Sequence, residues 1–105
     1  MGSEGEIFFS VKTPLNIEVR TTVDYWKYLI TIKHPIMKGK EDMVKTVLLS
    51  PDEIRQSSTD NEVFLYYKQF DRLYCVVAKH IEMEGFLITS YLTDKVKEGV
   101  VVWTR

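Results

Sequence analysis

The segment TIKHPIM, residues 31–37, places the basic pair Lys33 and His34 directly before Pro35, at the end of an apolar run. An imidazole takes up and releases protons at physiological pH, so His34 is a candidate for general acid or base chemistry. Alternatively, His34 is simply a cation at the C-terminal end of a helix, where it complements the helix dipole. The sequence of this segment leaves both interpretations open.

The segment GFLITSYLT, residues 85–93, is rich in β-branched and aromatic residues and predicts a strand. Alternation along a strand predicts that Thr89 and Tyr91 lie on the same side as Leu87, with the two hydroxyls about 7 Å apart. Phe86, Ile88 and Ser90 are then predicted to lie on the other side of the strand. Two hydroxyls at this spacing could hold a phosphate, although β propensity alone also accounts for a Thr and a Tyr in a strand.

Other chemistries find little support in the sequence. His34 and His80 are far apart, no HExxH pattern is present, and the single Cys75 excludes a zinc ribbon. The glycines form no phosphate-binding loop and no GxSxG motif occurs. We therefore expect no metal site and no cofactor, a buried inert thiol at Cys75, and solvated positions at a strand end for Lys79 and His80.

Composition predicts one globular domain over residues 1–105, with the first five residues disordered or derived from a tag. Fourteen basic and fifteen acidic side chains give a net charge of −1, which provides no global field to attract nucleic acid or an anionic membrane. No segment reaches the length of about 18 apolar residues that a membrane span needs, and MGSEGE lacks the features of a signal peptide. A cytoplasmic protein without membrane contact is the expectation.

The elements that must position these residues begin with two short strands, IFFSVKT and LNIEVRT, separated by a turn at Pro14. A helix is predicted over residues 22–33, with Thr22 as its cap and Tyr25, Leu29 and Ile32 on one face. The segment YLITI also suits a strand, but Pro35 disfavours helical backbone at His34 and so agrees with a helix that ends there.

A second helix is predicted over residues 40–49, because Met43, Val47 and Leu48 share one face. The following SPDEIRQSSTDN is typical of a turn. Three β-type runs joined by short links then predict an antiparallel meander over residues 63–92, and VVVWT predicts an edge strand. The expected fold is α+β, with two helices of the N-terminal half packed on a curved antiparallel meander.

The order of these motifs resembles the small phage and bacterial members of the barnase, EndoU, colicin and RelE-like nuclease superfamily. The similarity covers residues 22–103 and is carried by KHP, the helix that follows it, LSPDEIRQS, VFLYYK, YCVVAK and GFLITSYLTDKVKEG. It implies helices packed on a curved antiparallel sheet and a metal-independent ribonuclease that acts in toxin-like settings. The nearly neutral charge departs from the basic character of many such nucleases.

The resemblance also implies roles for particular residues. The family's histidine falls on His34 and its hydroxyl-bearing stretch on Thr89, Ser90 and Tyr91, while PDEIRQS would bring Arg55 and Ser57 to the same cleft. RNA would then be cleaved by its own 2′-hydroxyl, which leaves a 2′,3′-cyclic phosphate. The predicted catalytic residues are His34, Arg55, Thr89 and Tyr91, and the predicted substrate-binding residues are Lys33, Ser57, Tyr67 and Ser90.

The alternative function is a noncatalytic module that binds RNA or a protein on the same sheet. Tyrosines such as Tyr66, Tyr67 and Tyr91 can stack on bases or fill a protein pocket, and Arg72 or Lys79 can position phosphates. The resemblance to toxin-like nucleases implies an RNA substrate and an antitoxin or immunity protein as partners.

Overall fold

The structure is a computed structural model that describes residues 5–96 and 99–105. Its strands and α-helices are β1 (Ile7–Lys12), β2 (Glu18–Thr22), α1 (Val23–Tyr28), α2 (Glu41–Leu49), β3 (Glu53–Gln56), β4 (Val63–Gln69), β5 (Leu73–Ile81), β6 (Glu84–Thr93) and β7 (Val100–Thr104). Helix α1 continues as a π-helical segment over Leu29–Lys33, and a 3-10 turn follows at Pro35–Met37. No helix among the described residues is long and apolar enough to cross a membrane.

The strands form one seven-stranded sheet in the order β1-β2-β6-β5-β4-β3-β7. Strands β4, β5 and β6 pair antiparallel, as predicted for residues 63–92, and β7 is the predicted edge strand. The two predicted N-terminal strands, on either side of the turn at Pro14, pair antiparallel. Among the described strands, β2 and β6 are the one pair that runs parallel, and they pair over three residues of each strand. The predicted α+β class is confirmed.

Helix α1 begins where the sequence predicts, because the Thr22 hydroxyl accepts a hydrogen bond of 3.0 Å from the Tyr25 N–H. The predicted helical face is wrong in part, since Ile32 is 66% exposed. The π-helical segment widens the turn, with the His34 N–H bonded to the Leu29 carbonyl five residues earlier, and so shifts the side chains that follow. The residues of this helix that enter the core are Trp26 and Leu29.

Both helices pack on one face of the sheet, which we call the helix face. Helix α2 covers the predicted span and buries Val47 and Leu48, with Met43 packed at the margin of the core. These residues pack against the side chains of the sheet that point to the same side, including Val19, Ile54, Tyr66, Val76, Ala78 and Leu87. The helices of the N-terminal half therefore provide the main core.

The segment predicted to be a turn, SPDEIRQSSTDN, instead contains strand β3. This strand is only four residues long, and Ile54 is its one apolar residue. It is stabilised by backbone pairing on both sides, with β4 and with β7. Because β7 lies far along the chain, the local composition does not reveal this strand.

The second face of the sheet, which we call the opposite face, carries a separate cluster built around Leu65, Tyr67, Cys75 and Val77. The described residues of this cluster come from β4, β5 and β6 and from Val96, and none comes from a helix. The predicted burial of Cys75 is confirmed. This face is where most of the candidate residues lie.

Candidate functional site

His34 and Tyr91 are brought together at the margin of the opposite face. The π-helical segment ends at His34, and the following Pro35 holds the backbone away from helical geometry. The imidazole and the Tyr91 ring have centroids 5.5 Å apart, with 34° between their planes. His34 is half-buried, so its ring is fixed by packing while part of it stays accessible.

Strand β6 carries a bulge that determines which of its side chains face this site. Ala78 pairs with Leu87 and Val77 pairs with Thr89, so Ile88 is an extra residue between them. The predicted alternation is therefore wrong at this point, because Leu87 belongs to the helix face while Thr89 and Tyr91 belong to the opposite face.

The bulge is also where the helical segment is attached to β6. The Tyr25 hydroxyl and the Lys33 Nζ both donate to the Ile88 carbonyl, the latter at 3.2 Å. These contacts support the position of His34, which directly follows Lys33. Lys33, predicted to bind substrate, thus makes a structural contact with one of its three N–H donors.

Thr89 and Arg55 lie in the same cross-strand row of the opposite face. The pairs Arg55 with Leu65, Leu65 with Val77, and Val77 with Thr89 connect them in register. Three strand spacings give about 14 Å along the sheet, and any curvature shortens the direct distance. The Thr89 Oγ1 is buried without a hydrogen-bond partner among the described residues, whereas the residue as a whole is only half-buried, so the side chain must rotate before a ligand can bond to this hydroxyl.

A parallel row contains Glu53, Tyr67, Cys75 and Tyr91. Glu53 is a site residue that the sequence reasoning missed, because β3 was not predicted as a strand. Its carboxylate accepts from Nε of Arg55, and the same guanidinium donates through Nη1 to the Gly99 carbonyl at 3.1 Å. Both charged side chains are 26% exposed, so the pair holds a partly buried guanidinium in a fixed orientation. The i, i+2 spacing of Glu53 and Arg55 was the available signal.

Three predicted substrate-binding residues are placed less favourably. Tyr67 lies on the opposite face but is only 3% exposed. The Ser57 hydroxyl contacts Thr59 Oγ1 at 3.2 Å in the loop after β3. Ser90 is fully buried, and its hydroxyl donates to the Cys75 carbonyl across the strands. The cross-strand partner of Ser90 is Val76, which belongs to the helix face. The Ser90 side chain therefore points away from the opposite face and does not reach a substrate bound there.

His80 differs from its predicted position, since it is buried rather than solvated at a strand end. It stacks on Phe64 with ring centroids 4.1 Å apart, and its Nε2 lies 2.9 Å from the Tyr66 hydroxyl. The Tyr66 hydroxyl donates in turn to Thr13 Oγ1 at 3.1 Å. Burial lowers the pKa of His80 to about 4 and raises the pKa of Tyr66 above its ordinary value.

Within residues 5–96 and 99–105, no group of three or more His, Cys, Asp or Glu side chains is arranged to hold a metal ion. No protein-family profile, no curated protein and no solved structure matches this chain. The resemblance to the nuclease superfamily therefore stays a prediction.

Proposed function

We propose that this protein is a metal-independent endoribonuclease that acts on RNA through the substrate's own 2′-hydroxyl. The main support is the presence of His34, Arg55, Thr89 and Tyr91 along one face of the sheet, although they come from well-separated parts of the sequence. Together they supply a proton-transfer group, a guanidinium and two hydroxyls. Cleavage of a phosphodiester next to a 2′-hydroxyl uses groups of these kinds.

In the proposed reaction, the 2′-oxygen forms a bond to phosphorus while the bond from phosphorus to the 5′-oxygen breaks. The products are a 2′,3′-cyclic phosphate and a free 5′-hydroxyl. One proton leaves the 2′-hydroxyl and one reaches the departing 5′-oxygen, and His34 would carry out one of these transfers. Of the chain's two histidines, His80 is unsuited to this role because it is buried against Phe64.

The remaining groups would bind phosphates of the RNA. Arg55 is held by Glu53 and by the Gly99 carbonyl, and these two contacts use two of its five N–H donors. The Thr89 hydroxyl would donate to an oxygen of the phosphate that is cleaved. Arg55 lies three strand spacings from Thr89, so its guanidinium would neutralise another phosphate of the same RNA strand. The Tyr91 ring packs against His34 and would orient the imidazole, while its hydroxyl would contribute a further hydrogen bond.

The setting of this activity follows from the family that the motifs resemble. A toxin-like ribonuclease would act in the cytoplasm and would require an antitoxin or immunity protein that covers the opposite face. The net charge of −1 predicts weak non-specific attraction to RNA, so affinity would depend on local contacts.

The test is incubation of the purified protein with single-stranded RNA and with DNA of the same sequence, followed by analysis of the product ends. We expect cleavage of RNA only, cyclic phosphate ends, and unchanged rates in EDTA. Loss of activity in EDTA, or cleavage of DNA, would contradict the proposed chemistry. Salt-sensitive binding of RNA without cleavage would support the noncatalytic alternative.

A further inference from the structure

A cleft opens where β2 and β6 separate. The two strands pair only over Glu18–Arg20 and Glu84–Phe86, after which β2 leads into α1 and β6 forms its bulge. The resulting cavity has a volume of about 690 Å³, within the range of small-molecule sites. Its lining includes Ile7, Arg20, Thr21, Tyr25, Phe86 and Ile88.

One wall of this cleft combines an aromatic ring with a guanidinium. Arg20 Cζ lies 4.6 Å from the centroid of the Phe86 ring, and Nη2 of the same side chain contacts Glu84 Oε1 at 2.6 Å. The ion pair therefore keeps the guanidinium close to the ring. Aromatic rings and planar guanidinium groups are the surfaces on which proteins stack nucleobases.

Thr21 borders this cleft, but its side chain belongs to the helix face. It pairs with Phe9, and Val19 lies two residues earlier on the same strand, and both of these residues are part of the main core. The buried Thr21 hydroxyl therefore points away from the wall formed by Phe86 and Arg20. The stacking wall carries the recognition in this cleft.

The cleft lies next to the proposed phosphate site on the same strand. Phe86 pairs with Lys79, which in turn pairs with Val63 of the cluster on the opposite face, so the ring points to the same side as Thr89. Three residues along a strand cover about 10 Å, and the bulge at Ile88 shortens this distance. One nucleotide can span such a distance between its base and its phosphate.

We propose that the cleft between β2 and β6 is a nucleobase subsite for the nucleotide whose phosphate is held at Thr89. The proposal extends the ribonuclease function and rests on it for the identity of the ligand. The base stacks on the wall formed by the Phe86 ring and the Arg20 guanidinium.

The experiment is an NMR titration of the intact protein with AMP, GMP, CMP and UMP, with ribose 5-phosphate as the probe without a base. We expect shifts at residues 20–22 and 86–88 with at least one nucleotide, and much weaker shifts with ribose 5-phosphate. Phe86→Ala should weaken nucleotide binding roughly 5- to 100-fold, the usual effect of removing one stacking ring.

Two further variants separate binding from folding. Phe8→Ala removes a ring of similar exposure outside the cleft lining, 38% against 36% for Phe86, and should leave nucleotide affinity unchanged. Thr21→Val keeps the side-chain shape and changes a residue that points to the helix face, so it should preserve both the melting temperature and the nucleotide affinity. Equal losses of nucleotide affinity in Phe8→Ala and Phe86→Ala would contradict the proposed subsite.

The outcomes also separate the proposed nucleobase subsite from the proposed ribonuclease activity. RNA cleavage with no nucleotide shifts in the cleft would overturn the subsite and leave the proposed function intact. Nucleotide shifts in the cleft without RNA cleavage would support the subsite and contradict the proposed ribonuclease activity.

Discussion

At the scale of single residues, the Thr89 hydroxyl is the most specific pointer to a ligand on the opposite face. It is buried without a partner among the described residues, so the folded protein alone gains little from it. Rotation of the Thr89 side chain would let this hydroxyl donate a hydrogen bond to a bound phosphate. The neighbouring hydroxyl of Ser90 shows the contrast, since it is fully buried and bonded to the Cys75 carbonyl.

Replacing Thr89 with Val tests this interpretation. The substitution keeps the side-chain shape and removes an unsatisfied group, so we expect the free energy of unfolding to stay the same or to rise. RNA cleavage should fall about 10-fold through loss of one hydrogen bond to a charged oxygen. The matched control is Thr93→Val on the same face of β6, where the hydroxyl bonds to the Lys95 carbonyl. An equal loss of activity in both variants would exclude a specific role for Thr89.

At the scale of elements, the sequence predicted those strands and helices whose signals are local. Thr22 marks the start of α1, and the apolar spacing in residues 40–49 marks α2. The features that it missed depend on partners elsewhere in the chain. Strand β3 depends on pairing with β7, the bulge at Ile88 changes the alternation of β6, and His80 is buried by contacts with Phe64 and Tyr66.

The same limit applies to the candidate site. His34, Thr89 and Tyr91 could be selected by residue type and motif, and their positions along the opposite face depend on the π-helical segment and the bulge. The i, i+2 spacing of Glu53 and Arg55 places the two side chains together only in a strand, and the sequence predicts a turn for this segment. The catalytic roles of His34, Thr89 and Tyr91 stay predictions.

Two glycines provide a test of how closely β7 is attached to β3. Gly99 and Gly39 both have positive φ angles, 84° and 80°, so either one is strained by a side chain. A Cβ on Gly99 would lie 2.4 Å from the Gln56 carbonyl oxygen, whereas a Cβ on Gly39 meets nothing within 4 Å. Gly39→Ala should therefore cost about 1 kcal/mol of unfolding free energy.

Gly99→Ala should cost clearly more, because the backbone of β3 or β7 must move to relieve the clash. Urea unfolding of both variants measures the difference, and hydrogen exchange should show faster exchange of the β7 amides in Gly99→Ala alone. Equal destabilisation by the two substitutions would show that the close approach of Gly99 to Gln56 contributes nothing to stability.

At the scale of the whole molecule, the buried His80 couples stability to pH. Its folded-state pKa is about 4, below the value of 6.5 for an exposed histidine. Between these values the unfolded chain binds a proton that the folded protein does not, so stability falls as the pH decreases from 6.5 to 4. The free energy of unfolding falls by about 3 kcal/mol in total once the pH is below both pKa values.

His80→Gln removes this titration while keeping a polar side chain near Tyr66. Unfolding free energies measured from pH 7 to pH 4 should fall less steeply for the variant than for the wild type, and the difference should develop mainly below pH 6.5. Parallel pH profiles for the two proteins would contradict the assignment of this acid sensitivity to His80.

The central claim is that His34 transfers a proton during RNA cleavage on the opposite face. The most direct measurement compares initial rates of RNA cleavage by wild type and His34→Ala, purified side by side and matched in melting temperature. We predict a rate lower by roughly 10² to 10⁴-fold for the variant, the usual contribution of one positioned proton-transfer group. Equal cleavage by the two preparations, or no cleavage by the wild type across several RNAs, would contradict the claim.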